Sequence, residues 1–95
     1  MSTQYIGTGR IGPAKNVAYT GTAGATSAIG SQTYKVRVVV TTDAFVTTDG
    51  STPSATAGAY VSALMPEYFT TSPGQVVKAV QVSAPGTLYV TEIIA

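Results

Sequence analysis

Four carboxylates are the residues of this 95-residue chain best suited to chemistry: Asp43, Asp49, Glu67 and Glu92. Two carboxylates at the right separation can hydrolyse a glycosidic bond, one as acid and the other as nucleophile or base. Asp43 and Asp49 lie close in sequence and flank a strand-like run, which makes them the candidate pair. Their local context favours a humbler role. Asp49 stands before Gly50 and opens a turn, while Asp43 sits at a strand end, and a short carboxylate bonds nearby backbone in both settings. Glu92 falls in the last strand-like run and Glu67 follows Pro66, so both are expected to be solvated or paired. Asp49 with Thr48 and Ser51 supplies few of the converging oxygens that calcium needs.

The chain has no histidine and no cysteine. Imidazole bases, Ser-His and Cys-His nucleophiles, thiolate redox chemistry and the usual zinc ligands are therefore removed. The expectation is a protein that is not an enzyme and uses no metal or cofactor. Gly7, Gly9 and Gly12 spell a G-x-G-x-x-G motif, but a phosphate-binding loop needs a strand before it and a helix behind it. Pro13 and the small polar residues that follow argue against that helix. An extended arm presenting Ile6, Arg10, Ile11 and Lys15 is the better account.

Lys35 and Arg37 alternate with apolar residues and so point to one face of a strand. Nucleic-acid surfaces carry more basic residues with aromatics between them, and a net charge of +1 gives little long-range field. No nucleic-acid partner is expected. Tyr60, Tyr68, Phe69 and Tyr89 lie in or near strands, where core packing is the default. Tyrosines can also line a sugar-binding platform, although tryptophan, the strongest contributor, is absent.

The elements that must hold these residues are short and extended. Residues 1–32 are rich in Gly, Thr, Ala and Ser and read as an arm or long loop, with one short strand over 16–20. Residues 33–95 read as a β domain. The clearest strand covers 34–42, with Tyr34, Val36, Val38 and Val40 on one face. Further strands are expected over 44–48, 59–65 (stopped by Pro66), 67–71, 75–83 and 87–94. Pro73-Gly74 suits a type II turn, and Pro85-Gly86 reads as the turn of a hairpin. No window has a helical period. The fold class expected is all-β: a small sandwich or compact barrel of six to eight short antiparallel strands, with an extended N-terminal arm.

No apolar run approaches the roughly 20 residues that span a bilayer. Residues 1–4 lack the basic start and apolar core of a secretory signal. A protein made in the cytoplasm, with no membrane partner, is expected. Charged residues make up 9% of the chain, so solubility rests on Ser, Thr, Gln, Asn and Gly, and such a surface resists association poorly.

From Val38 the chain runs Val38-Val39-Val40-Thr41-Thr42-Asp43-Ala44-Phe45-Val46, then Pro53-Ser54-Ala55-Thr56-Ala57 and Met65-Pro66-Glu67-Tyr68-Phe69. It continues with Pro73-Gly74-Gln75-Val76-Val77-Lys78-Ala79-Val80-Gln81 and Gly86-Thr87-Leu88-Tyr89-Val90-Thr91-Glu92. This pattern, over about residues 36–94, resembles small virion structural proteins of tailed bacteriophages. The resemblance implies a head decoration (cement) protein: a β-sandwich, frequently trimeric, seated between subunits of the major capsid protein. Its localisation would be the capsid surface. Such proteins commonly reach over capsid subunits with a terminal arm. Two other roles fit the same residues: a receptor- or glycan-binding module of a head or tail fibre, and a head–tail connector or tail component.

Overall fold

Alternation along single strands decides where this chain buries its apolar side chains. The computed structural model describes residues 10–31 and 33–94. Eight strands form: β1 (Arg10–Tyr19), β2 (Gly24–Ala25), β3 (Lys35–Val40), β4 (Ala44–Thr47), β5 (Ala59–Val61), β6 (Glu67–Thr70), β7 (Lys78–Gln81) and β8 (Gly86–Ile94). They make two four-stranded antiparallel sheets, β1-β8-β3-β6 and β2-β7-β4-β5. The architecture is a β-sandwich and not a closed barrel.

Val36, Val38 and Val40 of β3 are fully buried, and so are Leu88 and Val90 of β8. They meet Ala44, Val46, Val61 and Ala79 from the second sheet in one apolar cluster. Burying each valine or leucine contributes about 1.5–3 kcal/mol, so these few positions carry much of the stability. Tyr34 departs from the expected pattern. The ladder with β6 and β8 begins at Lys35, so Tyr34 lies beyond the core and is 64% exposed.

Every connection between successive strands except β4–β5 passes from one sheet to the other. This overturns the hairpin expected at Pro85-Gly86. β7 pairs with β2 and β4, while β8 pairs with β1 and β3. Residues 82–85 are therefore a crossing between layers. Gly86 is needed there for closeness: a Cβ on it would collide with the hydroxyls of Thr41, Thr42 and Tyr19. The Pro73-Gly74 turn does form, with Gly74 at φ 84° and the Gln75 amide donating to the Ser72 carbonyl.

The expected division at residue 32 does not describe residues 10–31. β1 is ten residues long and pairs with β8 from Arg10 opposite Ile94 to Tyr19 opposite Gly86. Thr26 and Ile29 are buried, Ile29 in the main cluster. Gly12 and Pro13 are tolerated because β1 is an edge strand, where a register shift between Ile11 and Ala14 absorbs Pro13. The strand expected over 59–65 ends at Val61, because residues 62–66 turn out of the sheet.

Candidate docking surfaces

β4 holds Asp43 and Asp49 beyond its two ends. Its four residues span about 13 Å, wider than the ~5–9.5 Å that paired-carboxylate hydrolysis uses. Each carboxylate is occupied locally. The amide and hydroxyl of Ser51 donate to Asp49 Oδ1 at 3.0 and 2.6 Å, closing the turn at Gly50, whose φ is 82°. These Ser51 hydrogen bonds hold the Asp49 carboxyl below its ordinary value. Among the described residues, no three acidic side chains converge on a metal-sized site. Gly12 lies inside β1, not at a helix start, while Gly7 and Gly9 lie outside the described residues.

Asp43 organises one end of the sandwich. The hydroxyl of Tyr60 donates to its Oδ2 at 2.5 Å, and the amide of Ala63 donates to its Oδ1 at 2.8 Å. The Tyr60 hydrogen bond, then the Ala63 one, lowers the Asp43 carboxyl from its ordinary 3.8, while the same Asp43 contact raises Tyr60 above 10.0. The Asp43 carbonyl accepts the amide of Val82. Three chain segments thus converge on one residue, and next to them stand exposed apolar side chains: Tyr60, Leu64, Met65 and Val82.

Leu64 is held at φ 61°, the one positive-φ residue other than glycine among those described. A side chain at such a φ costs about 1–2 kcal/mol. The Leu64 amide donates to the Val40 carbonyl at 2.8 Å, and this bond fixes the turn. The result is a leucine that is 71% exposed in a conformation usually left to glycine. Nothing in the sequence marks Leu64, because left-handed positions normally announce themselves as Gly or Asn.

The outward face of the first sheet is the second surface. Arg37 of β3 lies opposite Tyr68 of β6 and Thr91 of β8, and Val39 lies opposite Tyr89. Directly paired residues share a face, so Arg37 stands beside Tyr68 and diagonal to Tyr89. Tyr68 and Tyr89 are 45% and 47% exposed, and Tyr60 is 53% exposed. Core packing was the expectation for all three. They fall instead on the outward positions of their strands, as Tyr89 does between buried Leu88 and Val90. Phe69 alone of that group packs partly against the core. Tyr60 meets Phe45 edge-on, with ring centroids 5.7 Å apart, on the outer face of the second sheet.

The residues expected to form a binding arm divide. Ile6 lies outside the described residues, and Arg10 begins β1. Ile11 is 76% exposed on that edge strand. Lys15 is engaged inward, with its Nζ 3.5 Å from Oε2 of Glu92. Glu92 is buried and not solvated. Oε1 of Glu92 accepts the hydroxyl of Thr33 and the amide of Gly30. Lys15 therefore fastens β1 to the sandwich and is not available as an arm contact. Comparison with protein-family models, with curated proteins and with solved structures finds no match to this chain.

Proposed function

We propose that this chain is a virion structural protein of a tailed bacteriophage, of the head-decoration kind, which binds and stabilises the shell of the major capsid protein. The observation that carries the reading is where the apolar surface lies. Ile11 stands exposed on a long edge strand, and Leu64 is held outward at the cost of backbone strain. Exposed apolar side chains on a weakly charged surface favour protein docking, and β1 offers an edge to which a partner strand can add. The resemblance over about residues 36–94 supplies the virion context. Work by docking and not by catalysis fits the separation of Asp43 from Asp49 across β4.

Mass analysis of particles produced by the genome that encodes this chain tests the reading. A copy number approaching that of the major capsid protein supports decoration. A handful of copies per particle supports a connector or tail role, and absence from the particle overturns the virion assignment. Within a decorated shell, Ile11→Asp is expected to weaken retention at least tenfold by co-sedimentation, while β-sheet circular dichroism stays unchanged. The tyrosines beside Arg37 favour a second reading, a glycan- or receptor-binding module. In that case a glycan array gives signal that Tyr68→Ala abolishes.

A further inference from the structure

Exposed charge on this chain is sorted by place. The loops at the Asp43 end, residues 20–23, 41–43, 62–66 and 82–85, contain no lysine or arginine. Their carboxylate is Asp43, and Glu67 follows directly at the start of β6. The outward face of the first sheet is the reverse. It carries Arg37, and no carboxylate lies on its outward strand positions among the described residues. Glu92 is buried against Lys15, so it does not alter this pattern.

Both surfaces offer what a protein contact uses. The Asp43 end projects Leu64 and Met65, which are 71% and 57% exposed. The sheet face offers an arginine between two half-exposed tyrosines, and Arg and Tyr are the residue types enriched where binding energy concentrates. Neither surface suits itself. A two-fold contact of the loop end sets Asp43 against Asp43, and a two-fold contact of the sheet face sets Arg37 against Arg37. Apposing the two unlike surfaces brings opposite charges together and gives Leu64 an aromatic bed. A typical contact covers ~800 Å² per partner, about one-seventh of the 5335 Å² a copy exposes. Two separate contact faces therefore fit on one copy.

We propose that copies of this chain associate head to tail, with the Leu64-bearing loop end of one copy seated on the Arg37–Tyr68–Tyr89 face of the next. Such a contact is heterologous and builds a ring or an open chain, never a lone two-fold pair. The inference needs only this chain's own surfaces, so it stands or falls apart from the virion reading.

Sedimentation velocity of the full chain, from micromolar to hundreds of micromolar, is the test. The expected result is concentration-dependent growth beyond a dimer, weakened by high salt because the paired charges are screened. Leu64→Asp and Arg37→Glu are each expected to leave monomers. Each retains one intact surface, so an equimolar mixture of the two is expected to recover a dimer of unlike chains. Asp tolerates a left-handed φ better than Leu, and circular dichroism with a thermal melt confirms that both variants fold. A wild-type chain that stays monomeric throughout, or stops at a dimer, overturns the proposal. So does a folded Leu64→Asp variant that assembles as the wild type does. A chain that binds capsid shells through Leu64 while remaining a monomer overturns it too, and reassigns that end to the shell.

Discussion

Glu92 and Asp43 are both carboxylates tied to a second segment of chain, and they do opposite work. Glu92 is 2% exposed and is surrounded by Lys15, Thr33 and Gly30. Its partners come from β1 and from the segment before β3, so from β8 it locks the edge of the first sheet. Asp43 faces water and is bound by one hydroxyl and one amide, with no cation among the contacts described above. A buried charge must be neutralised and hydrogen-bonded or it destabilises the fold. An exposed one costs little and is left to shape a surface. The same residue type is thus a clamp at one end and a feature of a docking face at the other.

The largest effect is expected at the clamp. Lys15→Met leaves the Glu92 carboxylate buried without its cation. Breaking a fully buried pair costs about 3–5 kcal/mol. The lysine side chain is 19% exposed, so the expectation is nearer 2 kcal/mol, read from urea denaturation. Glu92→Gln keeps an acceptor for Thr33 and is expected to lose less. A Lys15→Met variant as stable as the wild type means that β1 is the loose arm the composition suggested.

An intermediate effect is expected where the sheets cross near Asp43. The Tyr19 hydroxyl donates to the Thr42 carbonyl and accepts the Thr42 amide at 3.2 Å. Tyr19→Phe strips those backbone groups of their partner at about 1–2 kcal/mol. The melting temperature is expected to fall by several degrees.

The smallest effect is expected at Asp43 itself, and pH reveals it. Its folded pKa is lowered from 3.8, chiefly by the Tyr60 hydroxyl. The stabilisation is therefore complete above that value and is lost as pH falls through the lowered folded one. Asp43→Asn is expected to flatten the acid limb of a melting temperature–pH curve and to lower its neutral plateau by less than Lys15→Met does. A shift at neutral pH as large as that of Lys15→Met ends the contrast between the two carboxylates.

Residue-level signals were readable wherever a local rule dominates. The alternation of Val36, Val38 and Val40, the turn at Asp49-Gly50 and the reversal at Pro73-Gly74 each depend on only a few neighbouring residues. Partnerships across distance were not readable. Lys15 and Glu92 are separated by most of the chain, and no local rule joins them. Tyr60, Tyr68 and Tyr89 had the composition of core residues, and only the register of their strands turned them outward. Leu64 carried no turn signature at all.

The sequence by itself settled the all-β class. β-Branched residues and turn pairs recur too densely for a helix, and the lack of histidine and cysteine removes whole kinds of chemistry. Tertiary structure decided which strands are neighbours. Pro85-Gly86 has hairpin composition, yet it carries the chain between layers, because β8 gains two long partners, β1 and β3, in the other sheet. The same pairing draws Arg10–Tyr19 into the fold, though its glycine and proline suit an arm. Backbone hydrogen bonds to β8 and the buried Glu92–Lys15 contact outweigh local propensity there, because β-strand preference is weak until a partner strand and a core face are present.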